Sequence, residues 1–145
     1  MSKIAVVYWS GTGNTEMMAL KVAEGAKETG AEAALFNAAE FSPAAMDQFD
    51  AIAFGCPSMG AEQLEETTFA PMFAACEPKL KGKKIALFGS YGWGDGEWMR
   101  TWEETCSAAG AVFACDSVIC NEAPDAEADD ACLSMGKALS RSAGA

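Results

Sequence analysis

Apolar residues in this chain fall into short unbroken runs separated by longer stretches in which polar and apolar positions mix. Ile4-Ala5-Val6-Val7-Tyr8, Asp50-Ala51-Ile52-Ala53-Phe54-Gly55 and Ile85-Ala86-Leu87-Phe88-Gly89 are too short for helices and lack alternation, the pattern of parallel strands buried on both faces. Lys3 to Trp9 is accordingly the first strand. Asn14 to about Thr29, rich in Ala, Met, Lys and Glu and stopped at Gly30, reads as the first helix. Glu32 to Phe36 is a weaker, Ala-rich strand that suits a sheet edge. Asn37 to Phe49 crosses back, with Phe41-Ser42-Pro43-Ala44 turning into a short helix that ends near Asp47. After a long irregular loop, Cys56 to Glu65, a helix is predicted from about Glu66 to Cys76 with Pro71 in its early part. Lys81-Gly82-Lys83-Lys84 is a charged turn before the clearest strand. Gly96 to Ala109 is a helix carrying Trp98, Met99, Trp102 and Glu103; Ala111 to Ile119 is a fifth strand with a break marked by Asp116-Ser117; Ala126 to Leu139 is the last helix.

Strands alternating with helices define an α/β class, a doubly wound five-stranded parallel sheet with strand order 2-1-3-4-5 and helices on both faces. At 145 residues, half of them hydrophobic, the chain suits one domain, residues 1–145. Ligands of such sheets bind outside the carboxyl ends of the strands where the order reverses, here between strands 1 and 3. The loops at those ends, Ser10–Thr15, Cys56–Glu65 and Ser90–Asp95, are the three most unusual stretches of the sequence.

Trp9-Ser10-Gly11-Thr12-Gly13-Asn14-Thr15 has the makings of a phosphate cradle. Its glycines allow close backbone approach, Ser10, Thr12, Asn14 and Thr15 offer neutral donors, and the free N–H groups of the following helix point into the same space. No Gly-Lys-Ser/Thr closes the loop, and Glu16 stands where a dinucleotide fingerprint needs glycine. No Lys, Arg or His lies between Ile4 and Leu20, so hydroxyls, amides and the helix dipole alone would hold the anion. A terminal monophosphate fits that better than a triphosphate with its magnesium. An ordinary Ser/Thr/Gly-rich turn with an N-cap remains the plain alternative.

A formal charge of −11 disfavours nucleic acid and anionic membranes and favours basic partners. No leader pattern and no apolar run of about 18 residues is present, which predicts a cytoplasmic protein without membrane attachment. Six cysteines include no Cys-x-x-Cys pair and there is no histidine, so no metal site is expected and the thiols read as reduced, several of them core residues.

Three separated segments carry a family resemblance: Tyr8-Trp9-Ser10-Gly11-Thr12-Gly13-Asn14-Thr15-Glu16, Gly55-Cys56-Pro57-Ser58-Met59-Gly60-Ala61-Glu62, and Phe88-Gly89-Ser90-Tyr91-Gly92-Trp93-Gly94-Asp95-Gly96-Glu97-Trp98. They resemble the flavodoxins, specifically the short-chain form from anaerobic bacteria. The resemblance implies a low-potential one-electron carrier with one non-covalently bound FMN, shuttling electrons between redox enzymes in place of ferredoxin. It implies that Ser10, Gly11, Thr12, Gly13, Asn14 and Thr15, with the Ser90 hydroxyl, hold the FMN phosphate. It places Met59 on the inner flavin face, Trp93 on the outer face, Gly60 at flavin N5, the Glu62 carboxylate at N3–H, and the N–H groups of Gly92 and Trp93 at N1 and O2. Ser58, Ala61, Tyr91 and Gly94 complete the cofactor-binding set. Pro57 departs from relatives that offer a serine hydroxyl, Ala61 from relatives with Asp or Ser, and Asn121–Asp125 stays outside the set. Trp9, Trp98 and Trp102 are expected to be packing or surface residues.

Partners implied are redox enzymes that use ferredoxin or flavodoxin, docking on a monomer at the exposed flavin edge within a negative collar of Glu62, Glu65, Glu66, Asp95, Glu97 and Asp125. The rival is an FMN-dependent quinone or NAD(P)H oxidoreductase of the same fold; against it stand the short chain and the missing dinucleotide fingerprint. A non-redox protein that binds a phosphorylated regulator would leave Met59 and Trp93 unexplained.

Overall fold

The computed structural model describes residues 2–60 and 62–144. Its strands are β1 (Lys3–Tyr8), β2 (Glu32–Asn37), β3 (Ala51–Gly55), β4 (Lys84–Tyr91), β5 (Val112–Phe113) and β6 (Val118–Asn121). Its α-helices are α1 (Asn14–Glu28), α2 (Pro43–Met46), α3 (Phe69–Cys76), α4 (Glu97–Ala108) and α5 (Ala126–Gly144), with short 3-10 turns at Ala38–Glu40 and Glu77–Lys79. All pairings between these strands are parallel, in the order β2-β1-β3-β4-β5, with β6 also on β4. The predicted order is therefore observed, and the fifth position is shared by two segments. On β4 the paired residues advance from Ile85 to Phe88 while their partners advance from Phe113 to Val118, so two extra residues bulge out between β5 and β6.

Successive strand side chains point to opposite faces, and this sorts the central strands into two cores. Ala5, Val7, Ile52, Phe54, Ile85 and Leu87 face the Phe69, Phe73, Trp98 and Trp102 side chains of α3 and α4. Ile4, Val6, Ala51, Ala53, Ala86 and Phe88 face Met18, Val22, Cys132, Met135 and Leu139 of α1 and α5. The α1–α5 crossing is close because it has no side chains at its centre: a Cβ on Gly25 would lie 2.1 Å from the Leu133 carbonyl oxygen, and one on Gly136 2.0 Å from that of Val22. Edge strand β2 is half exposed, as its Ala-rich sequence predicts.

Helix α3 starts at Phe69 and not at Glu66. Pro71 gives the reason. Third in a helix that starts at Phe69, it occupies one of the first four positions, whose N–H groups have no intrahelical acceptor, so its missing donor costs nothing there. Among the described residues no helix is long and apolar enough to cross a membrane.

Candidate functional site

The carboxyl ends of β1, β3, β4 and β6 surround a cleft of about 480 Å³, within the usual range of small-ligand pockets. Trp9, Ser10, Gly11, Thr12, Asn14 and Thr15 line it from the first loop, Pro57, Ser58 and Met59 from the second, Ser90, Tyr91 and Gly92 from the third, and Glu122 and Ala123 from the segment after β6. The wall contains no basic residue and one acid, Glu122.

Donors in the first loop can be counted. The Ser10 hydroxyl oxygen accepts the N–H groups of Gly13 at 3.0 Å and Glu16 at 3.3 Å, which leaves its own proton to donate. Thr15 and Ser90, both buried, share a hydroxyl–hydroxyl bond of 3.1 Å, and the Ser90 N–H reaches the Thr15 oxygen at 3.4 Å. Whichever hydroxyl donates within the pair, one proton is left over, and both residues line the cleft. The N–H groups of Gly11, Thr12, Asn14 and Thr15 have no partner among the described residues. Glu16, the acid of the first helical turn, is engaged by the Tyr8 hydroxyl at 3.1 Å. Burial first, then this bond to the carboxylate, pushes the Tyr8 phenol upward.

The other long helices begin differently. Glu65 accepts the N–H groups of Thr67 and Thr68 at 2.8 Å and of Phe69 at 2.7 Å where α3 starts. Glu62 accepts the Glu97 N–H at 3.0 Å at the start of α4, and Asp125 the Ala128 N–H at 2.9 Å at the start of α5. Each positive helix end thus holds a carboxylate of the chain itself, and α1 alone turns its free N–H groups into a cleft.

The second loop closes on itself through reciprocal backbone bonds between Met59 and Gln63, 2.8 and 2.9 Å, with Gly60 and Glu62 at φ of +50° and +53°. The Ser58 N–H donates to the Ser90 carbonyl at 3.0 Å and ties this loop to β4. Gly94, at φ +89°, lies against the Glu62 carboxylate: a Cβ there would stand 2.4 Å from Glu62 Cδ. Met59 is half-buried in the cleft wall, whereas Trp93 is 63% exposed on the third loop.

The cleft therefore gathers Ser10, Gly11, Thr12, Asn14, Thr15, Ser58, Met59, Ser90, Tyr91 and Gly92 from the predicted set. Gly13 supplies the left-handed turn before α1 at φ +97°. Gly60, Glu62, Trp93 and Gly94 stand beyond the wall, in the loops that frame it; Ala61 lies outside the described residues. Trp9, expected as packing or surface, packs against the core on the α3–α4 side and also forms part of the wall. Pro57, Glu122 and Ala123 also belong there, and Glu122 carries a positive φ of 58° that marks its backbone as constrained. The signal for Glu122 was the polar segment Asn121–Asp125 at the end of the last strand.

One member of the expected collar is corrected. Glu65 is 7% exposed and buried beneath α3. Burial pushes its carboxyl up, but the three backbone N–H bonds outweigh that and leave it below its ordinary range. Asp95 is paired with Arg100 at 3.0 Å, Asp125 caps α5, and Glu66 is engaged by the Gln63 amide. All six cysteines are free, and burial holds the Cys56 thiol up at about 12.

The Flavodoxin family profile matches residues 6–136. A flavodoxin from Clostridium beijerinckii is 43% identical over 134 residues, covering 92% of this chain and 96% of that protein. One from Megasphaera elsdenii is 41% identical over 138 residues, covering 95% and 98%. The chain belongs to the flavodoxin family. The solved structure of two-electron reduced Megasphaera elsdenii flavodoxin superimposes with a TM-score of 0.88 over 95% of this chain and 98% of that one. Function follows with the family: this flavodoxin is an FMN-binding electron carrier and not an enzyme. The donor-rich, base-free cradle fits the phosphate end of that cofactor.

Proposed function

We propose that the chain is a low-potential carrier that takes the place of ferredoxin between redox enzymes, and that the three loops are its FMN site. The observation that carries the assignment is the first loop. Four N–H groups without internal partners among the described residues and two hydroxyl protons left over converge on one cleft, at a helix start whose N–H groups no carboxylate caps, Glu16 being turned to Tyr8. Such a group of donors without a counter-anion is complementary to a phosphate.

The Ser10–Thr15 loop and Ser90 hold that phosphate. Met59 offers a polarizable thioether for one ring face and Trp93 an exposed indole for the other. The Glu62 carboxylate, kept in place by the Glu97 N–H and by the space at Gly94, accepts from the ring's N3–H. Gly60, with no Cβ to resist a peptide flip, sits at the turn tip with Ala61. Gly92 and Trp93 offer backbone donors on the far side. When bound, the flavin supplies the one-electron chemistry, and the protein needs no acid, base or nucleophile of its own. A negative formal charge of −11 raises the energy of adding further negative charge in the site, which lowers the potential.

Residues 1–145 work as one domain and as a monomer in the cytoplasm, in keeping with six unpaired thiols. Partners dock at the exposed edge beside Trp93, within the collar of Glu62, Glu66, Asp95, Glu97 and Asp125 that is left once Glu65 is buried. The visible spectrum of the purified protein and fluorescence titrations with FMN and riboflavin test the site. Tight FMN binding with much weaker riboflavin binding is expected; equal dissociation constants would show that the first loop is not the phosphate site.

A further inference from the structure

Gly11 poses a question that the cradle alone does not answer. Gly13 must be glycine for its φ of +97°, but Gly11 does not have a left-handed backbone and is exposed. What crowds a side chain there is Trp9. A Cβ on Gly11 would lie 3.0 Å from Trp9 Cη2 and 3.3 Å from Cζ3, so the six-membered end of the indole rests on the Gly11 backbone.

Trp9 itself is well anchored. Its N–H donates to the Gly55 carbonyl at 3.1 Å, which extends the β1–β3 ladder by one residue, and its half-buried ring packs against the core on the α3–α4 side. An indole fixed at one end and pressed on a loop at the other restricts that loop to few conformations. The loop carries the unpartnered N–H groups of Gly11 and Thr12. Donors set in place before a ligand arrives bind it without the entropic cost of ordering them.

We infer that Trp9 is a positioning residue for the phosphate cradle: pressed against Gly11, it holds the 10–13 backbone with the Gly11 and Thr12 N–H groups toward the cleft and so sets the preference for phosphorylated over unphosphorylated flavin. This rests on the FMN site proposed above. Trp9 also lines the cleft, so a rival role exists in which it is only a wall, contributing equally to both ligands.

A double-mutant cycle separates the two roles, with dissociation constants for FMN and riboflavin read from flavin fluorescence and folding checked by circular dichroism. Gly11→Ala lies on an exposed loop and does not threaten the fold; it should weaken FMN roughly tenfold and leave riboflavin within about threefold. Trp9→Phe shortens the ring so that it no longer reaches residue 11. It should lower the FMN-to-riboflavin selectivity, and in that background Gly11→Ala should cost FMN less than about threefold.

Equal penalties for Gly11→Ala in both backgrounds would overturn the inference. So would equal losses of FMN and riboflavin in Trp9→Phe, which would make the indole a wall. If the wild-type protein already binds riboflavin as tightly as FMN, the phosphate site itself falls, and the inference with it.

Discussion

Replacing Glu65 gives the sharpest test of how this structure supports its site, because one buried carboxylate there joins the end of the second ligand loop to the start of α3. Its Oε1 accepts the N–H groups of Thr68 and Phe69 and its Oε2 that of Thr67, all within 2.8 Å. In Glu65→Gln one amide oxygen can keep the Thr68 and Phe69 bonds, while the amide nitrogen faces the Thr67 N–H. The loss is one charge-assisted bond, about 1.5–3 kcal/mol, and part of a helix-dipole interaction of about 0.3–1 kcal/mol, so about 2–3 kcal/mol is expected after local adjustment. Glu65→Ala leaves three N–H groups without their acceptor and should cost about 3–5 kcal/mol, since water can reach some of them. Urea unfolding of the FMN-free protein measures both.

The sign of the pH dependence follows from the lowered carboxyl of Glu65. A group whose folded pKa lies below its ordinary value of 4.5 contributes stability that is complete above that value and is lost as pH falls through the folded pKa. The gap between wild type and Glu65→Gln should therefore be constant from about pH 7 to about pH 5.5 and shrink below about pH 4.5. A Gln variant within about 0.5 kcal/mol of wild type at neutral pH, or a gap that does not change on acidification, would refute the capping role.

Three further outcomes are expected. Gly25→Ala and Gly136→Ala each place a Cβ about 2 Å from a backbone oxygen across the α1–α5 crossing, and overpacking of about 1–3 kcal/mol should exceed the gain of up to ~1 kcal/mol in helix propensity, read by thermal or urea unfolding. Thr15→Val keeps the shape but removes a hydroxyl that serves both Ser90 and the cleft; FMN should bind about 1–3 kcal/mol more weakly in fluorescence titration while riboflavin changes little. Gly94→Ala combines a left-handed backbone with a clash on the Glu62 carboxylate, and isothermal titration should show FMN weakened by about 1–3 kcal/mol, with riboflavin weakened to the same extent because the proposed partner of Glu62 is the ring and not the phosphate.

Much of the fold was legible because its determinants are local. Unbroken apolar runs at Ile4–Val7, Ala51–Phe54 and Ile85–Phe88 admit little but two-faced burial, and the connections between them are long enough only for crossover helices. With the strand order assigned, the rule for open sheets located the cleft, and the Ser10–Thr15 loop announced its supply of neutral donors through residue types alone. Even the break in the fifth strand showed as Asp116-Ser117, although the bulge's two extra residues appear only once β4 is alongside to count them.

What only the tertiary structure decided is which groups are already satisfied. Glu65 reads as part of a solvated collar because acids near helix starts usually are solvated; the structure buries it against three N–H groups at the start of α3, while Asp95 and Asp125 stay exposed as they meet Arg100 and cap α5. Trp9 packs on the core as read, but nothing in a sequence says that its ring also ends on Gly11, and Glu122 enters the cleft only because β6 delivers it there. Periodicity and residue type record what each position prefers by itself. A hydrogen-bond partner or a steric contact belongs to two positions at once, and distant positions such as Thr15 and Ser90 acquire that relation only when the sheet brings them within 3.1 Å.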